Sequence, residues 1–237
     1  MGIVVVIVVL VIFALAYWLL MSPTAQVLGR YPWRIKTIEK VVAITFDDGP
    51  NEPYTSQIAD FLAEKKIKAT FFQVGTCVDR NPEVTKRLYS DGHIIGNHSM
   101  HHRFRDHLIH PSYKNEIMQN QEIIYKYIGK RPALFRSPWL WRQPWLFSTA
   151  HKQSLQPISG KFSHSFEVFQ PKGERIAKRT LRKVKPGSII IFHDGFDSRG
   201  GNRSQTVKAV KITVDQLLQQ GYRFVTISEL LGIPAYQ

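Results

Sequence analysis

The chain has 237 residues, 43% of them hydrophobic and 12% aromatic, with 13 Pro and 15 Gly. This composition excludes a disordered, collagen-like or low-complexity protein and suits one folded domain of about 200 residues with an appendage. Cys77 is the single cysteine, which excludes an internal disulfide framework and a cysteine-based zinc site; 32 Lys and Arg against 18 Asp and Glu leave +14, a charge suited to anionic surroundings.

From Ile3 to Met21 the chain carries no charge, no Gly and no Pro. As a helix this stretch would span about 28 Å, close to the hydrocarbon thickness of a bilayer. Tyr17 and Trp18 stand where interfacial anchors would. A cleaved signal peptide has a shorter apolar stretch, a charged start and a small-x-small exit. Here the start lacks Lys and Arg, and Pro23-Thr24-Ala25 puts Pro at the −3 position. The expected organisation is therefore an N-terminal transmembrane anchor (or signal peptide) over 1–21, a linker over 22–40 and a folded domain over 41–237. Arg30, Arg34, Lys36 and Lys40 follow the apolar segment and nothing basic precedes it. By the positive-inside rule alone, that pattern keeps the domain cytoplasmic.

Val41 to Phe46 is a short apolar, β-rich run that meets a turn at Asp47-Asp48-Gly49-Pro50. Thr55 to Lys66 has helical spacing, and Ala69 to Val74 reads as a second buried strand. Asn81-Pro82 opens a helix that ends near Tyr89 at Asp91-Gly92. A third strand follows over His93 to Gly96, then a helix from Ser112 to Ile128 closed by Gly129. Short strands are expected at Ala133 to Arg136 and Leu155 to Ile158. Next come a helix over Glu174 to Lys183, a strand over Ser188 to Phe192, a helix over Thr206 to Gln219 and a last strand over Tyr222 to Thr226 before a terminal helical turn. Strands alternating with helices imply parallel βα units, in either an open doubly wound sheet or a barrel.

In such α/β folds chemistry gathers at the carboxyl ends of strands. Asp47 and Asp48 follow the first strand; His98, His101 and His102 follow the third. Arg136 follows the fourth, and His193-Asp194 follows Phe192. Each cluster alone is an ordinary turn or solvated loop; together they could ring one cleft. His98 and His102 are four apart, so one helical turn would present both imidazoles on one side. With one carboxylate they form a set suited to Zn²⁺ or a neighbouring divalent metal, with positions left open for water. Adjacent aspartates then make sense if one binds metal and the other takes the proton of the attacking water.

In order, Thr45-Phe46-Asp47-Asp48-Gly49-Pro50, Gly96-Asn97-His98-Ser99-Met100-His101-His102, Arg136-Ser137-Pro138-Trp139 and Ile191-Phe192-His193-Asp194-Gly195 resemble the motifs of the polysaccharide deacetylases, the NodB-homology enzymes related to chitin oligosaccharide and peptidoglycan deacetylases. The similarity runs from about Val41 to Leu231. It implies a distorted (β/α) barrel and removal of acetyl from N-acetylated amino sugars of a peptidoglycan-like or chitin-like polymer. Asp48, His98 and His102 would hold a divalent metal, Zn²⁺ in the first place, with Co²⁺, Ni²⁺ or Mn²⁺ as alternatives. Asp47 would be the general base, oriented by Arg136, and His193 the general acid for the departing amine. A backbone N–H near Trp139 would help hold the oxyanion. His101 would be a bystander. Pro138, Trp139 and Trp141 would form a substrate-binding rim.

Two places depart from the family pattern. Leu140-Trp141 stands where Gly is usual, a bulkier rim. In the fourth motif, Ser159 to Val168 has no Asp and no Trp. A carboxylate normally pairs with the acid histidine there and fixes its tautomer. Glu167 is the candidate replacement; without one, the chain would be a membrane-tethered glycan-binding module with weak or no turnover. Nucleic-acid binding is not expected, because basic runs such as Lys178-Arg179 and Arg182-Lys183-Val184-Lys185 read as a solvated helix face. Glycan substrates of the family lie outside the cytoplasm, and four scattered basic residues are a modest opposing signal. The domain is therefore expected on the extracytoplasmic side, in the cell envelope, as a single-pass membrane protein.

Overall fold

A computed structural model describes all 237 residues, His110 by its backbone alone. Helix α1, Gly2–Met21, has no buried residue and is long and apolar enough to cross a membrane. The folded part then alternates strands and helices: β1 (Val41–Asp47), α2 (Tyr54–Glu64), β2 (Thr70–Gln73), α3 (Gly75–Arg80), α4 (Pro82–Ser90), β3 (Ile94–Asn97), α5 (His110–Ile128) and β4 (Leu134–Phe135). It continues through α6 (Leu146–Lys152), β5 (Gln156–Pro157), β6 (Lys161–Phe162), α7 (Gly173–Lys183), β7 (Ser188–His193), α8 (Ser204–Gln219), β8 (Arg223–Phe224) and α9 (Ile227–Leu231).

All the strand pairings are parallel, in the order β5-β4-β3-β2-β1-β7-β6, with β8 added beside the start of β1. The curled sheet is the expected barrel, left open because, among the described residues, no pairing joins β5 to β6. Residues 22–40, expected as a linker, pack along this side. Ser159 N–H donates to the Pro32 carbonyl at 2.9 Å, Ile189 N–H donates to the Trp33 carbonyl at 3.2 Å, and Arg34 bridges Ser188. Tyr31 is fully buried against Leu140 and Ile191.

β1 explains both cores. Every one of its residues is buried, as expected of a parallel strand covered on both faces. Alternation sends Val42, Ile44 and Phe46 toward the helices, where they pack with Ile58, Leu62, Val210 and Val214. Val41 and Ala43 face inward with Phe72, Leu134, Ile158 and Ile189. Two residues further along, the same inward column delivers Thr45 and then Asp47 to the top of the barrel interior.

Helix ends follow local chemistry. Pro82 occupies the first turn of α4, Gly129 closes α5 with φ 67°, and Thr226 and Glu229 form a reciprocal capping box on α9. Helices α3 and α6 and strand β6 were not anticipated. At six, seven and two residues they are too short to display a period.

Candidate metal centre and its surroundings

Sheet register brings the strand ends together: Asp47 of β1 is level with Phe72 of β2 and His193 of β7, and Gln73 is level with Asn97 of β3. The cleft above them, about 250 Å³, is lined by Asp47, Asp48, His98, His102, Trp139, Phe162, Glu167, His193 and Asp197 among others.

Asp48, His98 and His102 converge. Asp48 Oδ1 lies 3.2 Å from His98 Nε2 and 3.2 Å from His102 Nε2, all three side chains are buried, and Oδ1 has no hydrogen-bond partner. A buried carboxylate oxygen facing two imidazole nitrogens is an incomplete constellation that a divalent cation would complete. The outer nitrogens support this. His98 Nδ1 is 2.7 Å from the Arg136 carbonyl, and His102 Nδ1 is 3.0 Å from Asp197 Oδ1. A carbonyl can only accept, so His98 Nδ1 carries the proton and Nε2 keeps its lone pair; the negative charge of the Asp197 carboxylate favours the same tautomer on His102. Burial opposes ionisation of Asp48, but when they carry a proton the imidazoles of His102, His98 and His193 outweigh it and hold the carboxyl well below the usual range.

The two histidines do not share a helical turn, contrary to the i,i+4 expectation. Residues 98–102 form a loop in which Ser99 and His102 adopt left-handed φ of 67° and 52°. The loop is held by the start of α3, whose Gly75 and Thr76 N–H groups donate to the Ser99 and Met100 carbonyls at 3.0 and 2.9 Å. These are helix-terminal donors without intrahelical partners, spent here on positioning the loop that carries both histidines. A Cβ at Gly75 would sit 2.4 Å from Met100 Sδ and 2.9 Å from Asn120 Oδ1, so any larger residue there would oblige those side chains to shift. Left-handed non-glycine residues recur around the cleft at Asp48, Trp139 and Asp197 (φ 74°, 55° and 49°), each costing about 1–2 kcal/mol of backbone strain.

Arg136 lies fully buried beneath Asp47. Its guanidinium donates to Asp47 Oδ1 at 2.6 Å, to Thr45 Oγ1 at 2.7 Å and to the Ile158 and Ser159 carbonyls, while stacking over Phe72 at 4.1 Å. Such a network fixes the orientation of Asp47, whose carboxylate borders the cleft.

On the opposite wall, His193 Nδ1 is 3.2 Å from Glu167 Oε2. Glu167 is buried and accepts from His193 N–H at 3.1 Å, Ser163 Oγ at 2.5 Å and Thr206 Oγ1 at 2.9 Å. Burial opposes charge on both members of the pair. Their mutual hydrogen bond and attraction prevail, pushing the imidazole up to about 9 and the Glu167 carboxyl down. Phe162 stacks parallel to the His193 ring at 6.0 Å.

Of the expected rim, Trp139 borders the cleft, its ring 4.4 Å from that of His102. Pro138 is buried in the turn before it, and Trp141 packs on Phe104 at 4.4 Å rather than lining the cleft. Asp194 is buried behind the site. Thr55 Oγ1 donates to its Oδ2 at 2.5 Å, and burial foremost pushes the carboxyl up to about 7. A Cβ on Gly49 would fall 2.0 Å from that oxygen. The reading of the sequence missed Asp197, Ser163 and Thr206. Only Asp197 left a signal, as a carboxylate in the loop that leaves β7.

The polysaccharide deacetylase profile matches residues 34–154. A peptidoglycan-N-acetylglucosamine deacetylase of Bacillus cereus is 38% identical over 204 residues, covering 86% of this chain and 93% of the relative. The chain belongs to the polysaccharide deacetylase family. Its fold is similar to that of a peptidoglycan N-acetylglucosamine deacetylase solved with 4-naphthalen-1-yl-N-oxidanyl-benzamide, at TM-score 0.81 and 28% identity over 87% of this chain and 95% of the other. It is also similar to a family 4 acetyl xylan esterase from Clostridium thermocellum in complex with a cobalt ion, at TM-score 0.72 and 32% identity over 82% and 93%.

Proposed function

We propose that this protein is a metal-dependent hydrolase that removes N-acetyl groups from amino-sugar residues of an envelope glycan such as peptidoglycan. The reading rests above all on the Asp48–His98–His102 cluster, whose outer-nitrogen partners leave both Nε2 atoms free to bind a metal. A divalent cation held there, Zn²⁺ in the first place, supplies Lewis acidity that polarises the acetyl carbonyl and acidifies a water. Asp47 takes the proton of the attacking water, and Arg136 keeps its carboxylate aimed at the cleft. The backbone at Trp139 donates to the developing oxyanion. His193 donates a proton to the departing sugar amine, and Glu167 keeps its Nδ1 protonated so that Nε2 does the work. Products are acetate and the free amino sugar.

Against the altered fourth motif, the pairing of His193 with the buried Glu167 carboxylate supports this reading over a glycan-binding module without turnover. Helix α1 reads as the membrane anchor, with the domain facing the envelope where such glycans lie.

The test is acetate release from N-acetylglucosamine oligomers and from peptidoglycan with added Zn²⁺ or Co²⁺. Asp47→Asn should abolish release while metal stays bound, and His101→Ala should leave release intact. Equal loss in both variants, or no release by the unmodified chain, overturns the reading.

A further inference from the structure

Helix α7 buries Ile176, Ala177 and Thr180 and turns Arg175, Lys178, Arg179 and Arg182 outward, at the spacing of one helical face. Together with Lys183 and His164 they line a groove of about 620 Å³. Among the described residues, none of these five cations forms an ion pair; the acidic residue of the helix, Glu174, is engaged with Lys208. Lys183 donates to the Phe162 and Ser163 carbonyls at 3.0 and 3.4 Å, which fixes its amine at the groove without neutralising it. Like charges three and four positions apart repel, so the row is an electrostatic cost that a bound anion would relieve.

The groove has a defined destination. His164 lines it and also lines the cleft that holds Asp48 and His193. A strand whose acetyl group entered the cleft would thus pass its neighbouring substituents along α7. Arg175 to Arg182 covers about 10 Å of helix axis, enough to meet more than one substituent. We infer that the α7 groove is an anion-binding subsite for carboxylate or phosphate groups carried by the glycan being deacetylated. This rests on the deacetylase reading for its substrate. Lys183 also borders a pocket beside Tyr17 and Trp18, which brings a bilayer surface into consideration. The concave shape and the continuity with the cleft favour a strand, since a flat headgroup layer would meet only projecting tips.

The test is equilibrium binding of labelled probes to the full chain in detergent micelles. The probes are a neutral N-acetylglucosamine tetramer, a fragment alternating N-acetylglucosamine with lactyl-bearing N-acetylmuramic acid, and a glycerol phosphate oligomer. The unmodified chain should prefer an anionic probe over the neutral one by about tenfold at low salt, with the preference fading as salt rises. Arg179→Glu/Arg182→Glu should erase that preference without weakening the neutral probe, and Arg179→Lys/Arg182→Lys should keep it. The muramic fragment or the phosphate oligomer binding better assigns the subsite to carboxylate or phosphate. An anionic preference that persists without acetate release sinks the deacetylase reading alone and leaves the subsite standing. Equal weakening of all probes, or no change in any, overturns the subsite. So does protection of α7 amides in phosphatidylglycerol but not phosphatidylcholine nanodiscs with no glycan preference, which would give the cations to the bilayer.

Discussion

On the wall of the cleft proposed to hold the metal, Asp47 and Asp48 sit at the end of a seven-residue strand and His98 follows directly from β3, so sheet register sets their positions. On the opposite wall, proposed to supply the acid, only His193 has that support. Glu167 comes from an irregular stretch with a single short 3₁₀ turn, Glu167–Phe169, and is held by donors from Ser163, Thr206 and the His193 backbone. Both carboxylates are buried, but one is placed by backbone pairing and the other by side-chain hydrogen bonds. Substitutions should therefore act differently on the two walls: through loss of a ligand on the first, and through the tautomer and basicity of an acid on the second.

The largest effect is expected at Asp48. Asp48→Ala removes the oxygen shared between two imidazoles, so metal content should fall from one ion per chain to near zero. Acetate release should drop by about 10³-fold or more. Elemental analysis beside an activity assay checks both, and a chelator followed by Zn²⁺ or Co²⁺ should reproduce and then reverse the loss in the unmodified protein. Full metal retention in Asp48→Ala would break the distinction between the walls.

Glu167→Gln should leave metal content unchanged and slow amide hydrolysis by about 10²-fold. It should also reshape the pH profile. His193 is pushed up to about 9 chiefly by Glu167 acting against burial, so removing the carboxylate charge lowers that value. The protonated acid is then lost at lower pH, and the alkaline limb of the rate profile should move down. An acetyl ester, whose alkoxide leaving group needs less help from an acid than an amine does, should suffer less than the amide. A pH–rate series on both substrates tests this; an unmoved limb would mean Glu167 serves only to hold its loop.

The same contrast governs what the sequence discloses. Asp47, Asp48, His98, His102, Arg136 and His193 are legible because each lies within a few residues of a strand that its own hydrophobic run announces. The barrel is legible for the same reason, as strands and helices of ordinary length alternate along the chain. Glu167 lies on no periodic element and could only be guessed from its proximity to the altered motif. Asp197, whose carboxylate lies 3.0 Å from His102 Nδ1, depends on a loop that returns across the cleft, and no spacing rule encodes that return. The loop between His98 and His102 shows the limit from the other side: the spacing fits a helical turn, yet contacts with α3 fold it otherwise. The packing of 22–40 was hidden because Pro, Gly and basic residues look alike in a tether and in an extended segment that fills a gap.

His93 lies at the opposite end of the barrel, before β3, and separates loss of fold from loss of chemistry in acid. Its Nδ1 accepts the Ala69 N–H at 3.1 Å, and burial, helped by Lys68, lowers its pKa to about 4. The native state refuses a proton that the unfolded chain takes near pH 6.5. Stability from this group is therefore fully present above that value and falls as pH drops toward about 4. The loss should reach about 2 kcal/mol at pH 5. His93→Asn, which keeps an acceptor but cannot titrate, should flatten the fall in Tm between pH 6.5 and 5 while leaving the rate profile in place. If the slope survives, the acid sensitivity arises at the cleft instead.

The smallest effect is expected next to a proposed metal ligand. His101 precedes His102, yet its Nδ1 is 2.7 Å from Glu116 Oε1 and its backbone N–H donates to Glu116 Oε2 at 2.8 Å. It faces α5, away from Asp48, so composition cannot separate the two neighbours but backbone direction does. His101→Ala should leave metal content intact and activity within about twofold, and should cost about 1 kcal/mol or less for one lost, partly exposed pair. His102→Ala should abolish metal binding. Melting curves and metal analysis on the two variants, side by side, give the sharpest reading of that loop. Metal loss in His101→Ala would mean that the ring turned toward α5 is the true ligand.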